Sequence, residues 1–317
     1  MINYNPDYEA LPDLVCEYLR YIDVMKNRSQ KTVFEYSINL REFLSFVLND
    51  KNPSAILKNC DEDFFRNISL DDAYKYLSFC KNEKNNNAST RARKVVAIRQ
   101  FFKYLADNKQ LLKHNPMKML DSPKTKKALP KYLSLEQSIN LLESVDGKNK
   151  ERDYAILTIF LNCGLRLSEL VALNYNDIKS DNSMRVLGKG NKERIIYLNS
   201  ACVSAIKAYM NVRPVDGVVD KNALFLSSRL KRISPKTVQY IVKSFLEKSG
   251  LGEMGMSVHK LRHTAATLMY QYGDADVLVL KDILGHENLS TTEIYTHIVD
   301  EQKRNAIENN PLSKIKK

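Results

Sequence analysis

The segment NCGLRLSELVAL sets Arg166 two residues after Gly164, with Glu169 three positions further on. A glycine there permits close approach of a backbone or a ligand. Lys189 stands between Gly188 and Gly190. In SVHKLRHTAATLMY, His259 and Arg262 are three apart on one helical face, with His263 beside them. ILGHENLSTTEIYTHI carries His286 in a turn and Tyr295 beyond it. Taken singly, each is ordinary: an Arg and a Glu at this spacing most often form a surface ion pair, a lysine at a turn aids solubility, and a lone histidine or tyrosine packs. Taken together they form a set of reagents. Guanidinium forks hold phosphate oxygens in a fixed orientation, and a lysine can deliver a proton to a leaving oxygen. Imidazoles titrate near neutrality. A phenol can attack once it loses the proton it otherwise keeps to about pH 10.

Other chemistries lack their residues. Cys16, Cys60, Cys80, Cys163 and Cys202 are scattered without a CxxC pair, and no HExxH accompanies the histidines, so no zinc site is expected. The thiols read as reduced and mostly buried. Attack by a phenol that conserves the energy of the bond requires neither metal nor nucleotide cofactor, and the lack of a GxxxxGK[ST] loop and of a carboxylate cluster of the two-metal kind is consistent with that expectation. No run approaches the ~18 apolar residues of a membrane span, and MINYNPDYEA lacks the layout of a signal peptide; the expected location is the cytoplasm. With 49 Lys and Arg against 37 Asp and Glu, the net charge of +12 points to a polyanionic partner, nucleic acid first. Charge alone names no reaction.

A chain of 317 residues exceeds one ordinary core. Two domains are expected, over residues 1–118 and 133–317, joined by a basic linker over 119–132. Apolar residues recur at helical spacing through residues 11–48 as two helices, Ser29 capping the second. A third helix begins after Ser69, with Asp71 and Asp72 in its first turn. Ser89 opens another, whose apolar face is Val95, Ile98, Phe101, Phe102 and Leu105. The opposite face carries Arg91, Arg93, Lys94 and Arg99, a pattern suited to contact with a DNA backbone. Pro116, Pro123 and Pro130 interrupt any helix near the linker, where Lys124, Lys126 and Lys127 are placed to follow a duplex.

The second domain opens on a Ser134 and Gln137 capping box. Helices are expected through Leu142 and over residues 156–163 and 168–173, then a β-hairpin across MRVLGKGNKERIIYL with Lys189 at its tip. Helices follow over 201–210, 234–246, 261–270 and 275–284. After Gly285, Ser290 and Glu293 cap a last helix bearing Tyr295. The predicted architecture is mainly α: a helical bundle, then an α-rich domain with a small antiparallel sheet, closing as a clamp whose basic faces line DNA.

In the order Arg166, Lys189, His259-x-x-Arg262, His286, Tyr295, set in GLRLSEL, GKGNKER, HKLRHTAAT, LGHENLSTT and IYTH, the chain resembles the tyrosine recombinase (phage integrase) family, with its strongest likeness to the Xer type. The first half is similar to that family's SAM-like core-binding domain. The resemblance implies site-specific cleavage and rejoining of double-stranded DNA through a 3′-phosphotyrosyl intermediate, Tyr295 being the nucleophile. Arg166 and Arg262 would grip the phosphate and Lys189 would act as general acid. His259 would assist proton transfer, His286 would stabilise the transition state, and Glu169 would orient Arg166. It also implies a tetramer on synapsed DNA, of this chain alone or with a second recombinase, in which the tail bearing Ile307, Leu312 and Ile315 docks on a neighbour. The length leaves little room for an arm-binding domain, which favours Xer-like resolution of chromosome dimers, with a DNA translocase as a further partner. An integrase or invertase of a mobile element would use the same residues. A type IB topoisomerase would share the chemistry without a defined site, and a non-catalytic DNA-binding protein would bind without forming an adduct.

Overall fold

A computed structural model describes residues 4–124, 131–188, 192–273 and 275–285. The chain divides into two compact units, Met1–Lys127 and Ala128–Lys317. Among the described residues no helix is long and apolar enough to cross a membrane.

Among the described residues of the first unit the regular structure is helical, with α1 (Asp13–Val24), α2 (Gln30–Lys51), α3 (Glu62–Arg66), α4 (Leu70–Asn82) and α5 (Ala88–Lys103). Its helices start where short polar side chains can take the unsatisfied first-turn amides: the Ser29 hydroxyl accepts from the Thr32 N–H, and Ser69 and Asp72 form a reciprocal capping box. α5 begins slightly earlier than the sequence suggests. Asn87 caps it in place of Ser89, because Asn is as good a cap as Ser and its side-chain oxygen reaches the Thr90 amide at 2.8 Å. Leu19, Leu40, Phe43, Phe101 and Phe102 form the centre of the core. Burial of each stabilises by roughly 1.5–3 kcal/mol.

Lys94 corrects the expected division of α5 into an apolar and a basic face. Its side chain is only 7% exposed and pairs with Glu42 of α2. Its Nζ also donates to the Tyr76 hydroxyl of α4 at 3.1 Å. The reason is helical arithmetic: Lys94 lies four residues before Ile98 and seven before Phe101, on the apolar stripe itself. A cation there must be paired to be tolerated.

The second unit contains α6 (Leu135–Glu143), α7 (Lys150–Cys163), α8 (Leu167–Ala172), β1 (Ser183–Leu187), β2 (Glu193–Tyr197), α9 (Ser200–Val212), α10 (Pro235–Lys248), α11 (Val258–Tyr272) and α12 (Val277–Leu284). Ser134 and Gln137 form the capping box of α6. After a charged first turn, α7 is buried on all sides from Ala155 to Leu161, including Ile156, Leu157, Ile159 and Phe160, as suits a central helix; α9 and α11 pack on it. β1 and β2 form an antiparallel pair from Ser183↔Tyr197 to Leu187↔Glu193. The two-residue period turns Met184, Val186 and Ile196 inward.

Two glycines bring α12 to its place. Gly164 ends α7 in the left-handed region (φ 60°), and a Cβ there would lie 2.7 Å from the Leu284 side chain. Gly285 ends α12 in the same conformation (φ 64°). The cap expected from Ser290 and Glu293, and the helix expected to bear Tyr295, lie outside the described residues.

Candidate active site

The last carbonyls of a helix have no partner within it, and the helix dipole makes that end negative. At the end of α12 three guanidiniums meet this need on three successive residues. Arg194 of β2 donates from Nε to the Ile283 carbonyl at 2.9 Å. Arg262 of α11 donates from Nη2 to the Leu284 carbonyl at 2.6 Å, and from Nη1 to the Gly164 carbonyl at 2.7 Å. Arg166, just before α8, donates from Nη2 to the Gly285 carbonyl at 3.0 Å. Side chains from a strand, a helix interior and a helix start therefore share one focus.

The Glu169 carboxylate sits among them, with the residue only 3% exposed. Its Oε1 accepts from Arg166 Nη1 (2.7 Å) and Arg194 Nη1 (2.9 Å). Its Oε2 accepts from Arg194 Nη2 (2.8 Å) and the Arg166 backbone N–H (2.8 Å), and Arg262 Nη1 lies 3.9 Å away. Burial pushes this carboxyl up, but the hydrogen bonds and charge of Arg194, with those of Arg166, outweigh it and hold the pKa at about 2. Three permanent cations against one carboxylate leave an excess of two positive charges. Such a cluster suits an anion with several oxygens.

His259 stands one helical turn before Arg262 on α11. Burial, then the charges of Arg262 and Arg166, push its pKa down. The lowered pKa favours the neutral imidazole, which can take a proton or share one. The His263 ring meets it edge-on with centroids 4.6 Å apart. Burial first, then His259, Arg262 and Lys260, lower the His263 pKa to about 4. Among the described residues no three His, Cys, Asp or Glu side chains are grouped as a metal ion would require.

Residues 131–302 match the phage integrase family, and residues 15–109 match the phage integrase N-terminal SAM-like domain. The chain belongs to the phage integrase family. It is a tyrosine recombinase, an enzyme that cleaves and rejoins DNA. It is 50% identical over 315 residues to the tyrosine recombinase XerC of Caldanaerobacter subterraneus subsp. tengcongensis, across 96% of this chain and 89% of that protein. To the tyrosine recombinase XerC of Herpetosiphon aurantiacus it is 34% identical over 294 residues, 90% of each chain. Its fold is shared with the XerH site-specific recombinase bound to palindromic difH substrate in a post-cleavage complex, at a TM-score of 0.71 and 21% identity, over 93% of this chain and 83% of that one.

Of the positions singled out in the recombinase sequence, Arg166, Glu169, His259 and Arg262 belong to one side of the second unit's core. Lys189, His286 and Tyr295 lie outside the described residues, as do Lys126, Lys127 and the tail residues Ile307, Leu312 and Ile315. Among the described residues, a Cβ on Gly188 would lie 3.7 Å from Glu169 Oε1, and the Gly285 carbonyl accepts from Arg166. In the first unit Arg93 is exposed, Arg91 donates to the Asn86 carbonyl, and Lys124 is exposed. Arg194 was not among the expected site residues. Its signal is a charge at an inward position of a strand, opposite Val186 and two residues from buried Ile196.

Proposed function

We propose that this recombinase acts at a defined site in double-stranded DNA, with Tyr295 as the nucleophile. The phenol oxygen attacks phosphorus and forms the tyrosyl–phosphate bond as the bond to the 5′ oxygen breaks. Lys189 supplies the proton to that leaving oxygen, and His259 takes the proton released by Tyr295. Arg166 and Arg262 hold the non-bridging oxygens and bind them more tightly as charge builds there. His286 adds a hydrogen bond to the same oxygens. The 3′-phosphotyrosyl bond conserves the energy of the phosphodiester, so a 5′ hydroxyl from another strand reverses the step. Arg91, Arg93, Lys124, Lys126 and Lys127 contact the DNA backbone; Lys94, spent on Glu42, does not.

One arrangement carries this function: Arg166 and Arg262, far apart in the chain, converge on consecutive carbonyls directly before His286, with His259 one turn away and positive charge in excess. Similarity to XerC proteins over nearly the whole chain favours resolution of chromosome dimers in the cytoplasm over the integrase or invertase of a mobile element. The active form is then a tetramer on paired sites, of one chain or with a second recombinase, and a DNA translocase is a further candidate partner.

A nicked suicide substrate tests the chemistry, because cleavage lets a short fragment diffuse away and traps the covalent complex. The wild-type chain should accumulate adduct. Tyr295→Phe should bind with near-normal affinity and accumulate none, and an adduct in that variant overturns the assignment.

A further inference from the structure

We infer that Arg194 is a positioning residue of the recombination reaction: it satisfies Glu169 on both carboxylate oxygens, which lets Arg166 turn to the phosphate that it is assigned to grip together with Arg262. This rests on the assignment of those two arginines as phosphate ligands. Arg194 reaches the cluster from the inner face of β2, and its side chain is 13% exposed against 35% for Arg166. Its three nitrogens are all engaged, Nε on the Ile283 carbonyl and the two Nη on the two oxygens of Glu169. The guanidinium also packs on Gly285, where a Cβ would come within 3.1 Å of Nη1 and 3.2 Å of Cδ. Arg194 thus ties β2, α8 and the end of α12 together.

Arg166 is placed differently. It gives Glu169 a single side-chain hydrogen bond and is the most exposed of the three cations. When a phosphate arrives, Arg166 can turn toward it without stranding a buried carboxylate, because the fork of Arg194 still spans both oxygens. Without Arg194, Glu169 would compete with the phosphate for the same guanidinium. A lysine could not replace the fork, since an ammonium is a single point of charge. Loss of Arg194 should therefore slow cleavage while leaving DNA binding near wild type.

The experiment measures DNA affinity and single-turnover adduct formation on the nicked substrate for the full chain and for Arg194→Gln, Arg194→Lys, Glu169→Gln and the double variant Arg194→Gln/Glu169→Gln. Arg194→Gln should slow adduct formation roughly 10- to 100-fold at near-normal affinity, with Arg194→Lys between it and wild type. Adding Glu169→Gln to Arg194→Gln should cost nothing further, because the carboxylate to be satisfied is gone. Acid pH supplies a second readout. Glu169 faces Arg166, Arg194 and Arg262, and the cavity it lines also holds Asp177, Arg185 and Glu193. Removing Arg194 takes away the chief lowering influence on Glu169, so the Arg194→Gln rate should fall toward acid pH with an inflection that wild type and the double variant lack. If wild type forms no adduct, the proposed function fails. If wild type forms adduct and Arg194→Gln matches it, or loses binding in step with cleavage, the function stands and the role of Arg194 is overturned. Should Arg194→Gln not fold, Arg194→Lys alone and with Glu169→Gln decides the matter, additive losses overturning the inference.

Discussion

Each unit of this recombinase buries charge, and the two do so with opposite outcomes. In the first, Lys94 meets Glu42 and the Tyr76 hydroxyl, one cation to one anion, and the group is closed. In the second, Glu169 meets Arg194 and Arg166 with Arg262 close by, and the surplus charge is held on main-chain carbonyls at a helix end. Buried ion pairs are weak evidence for stability, because desolvation offsets much of the attraction. What separates a structural pair from a reactive cluster here is imbalance: the first group is complete, while the second still has positive charge to offer.

The sharpest way to break this contrast is Arg262→Gln. It removes one of the two guanidiniums assigned to the phosphate and leaves the Gly164 and Leu284 carbonyls without that donor. Adduct formation in single-turnover assays should fall roughly 10²- to 10³-fold, and undiminished cleavage would make the second cluster as structural as the first. Next comes Glu42→Gln, which leaves Lys94 in the core without its counter-charge. Unfolding in urea should show a loss of roughly 2–3 kcal/mol, below that of a fully buried pair because Glu42 is partly exposed. The folded fraction should cleave at the wild-type rate, and a slower rate would tie the first unit's pair to the reaction.

A pH dependence of stability, of a size comparable to the Glu42→Gln loss, completes the comparison. His263 titrates near 4 when folded against an ordinary 6.5. Between those values the unfolded chain takes up a proton that the folded chain refuses, so stability should decline as pH falls from about 6.5 toward 4. Glu169, held at about 2, contributes fully above about 4.5 and is lost only as pH falls below that, by roughly 3 kcal/mol at most. His263→Gln should flatten the urea midpoint between pH 6.5 and 4.5; an unchanged slope would place the proton uptake elsewhere.

Much of this was legible from local rules. Ser29, Ser69 and Ser134 announce helix starts because a cap acts within three residues, and the hairpin follows from two short apolar runs joined by a turn rich in Gly, Asn and Lys. Arg166, His259 and Arg262 stand out through spacing and company. Lys94 and Arg194 were hidden for a shared reason: each is a cation at an inward position, and what makes it tolerable lies elsewhere in the chain, Glu42 for one and Glu169 with the end of α12 for the other. A charge that interrupts an apolar period is itself a sign that a distant partner exists. Its identity requires the fold.

The arginines of the active cluster anchor on oxygens of the main chain at residues 283–285, acceptors that every amino acid possesses. No exchange of side chain at Ile283 or Leu284 can delete them. The weak points are instead matters of shape, at Gly164 and Gly285, both at positive φ: an added Cβ would meet the Leu284 side chain at 2.7 Å at the first and the Arg194 guanidinium at 3.1 Å at the second, pressing on the helix end and on an arginine that holds it. Damage to this recombinase by substitution in that region should therefore track the volume of the new residue more closely than its polarity.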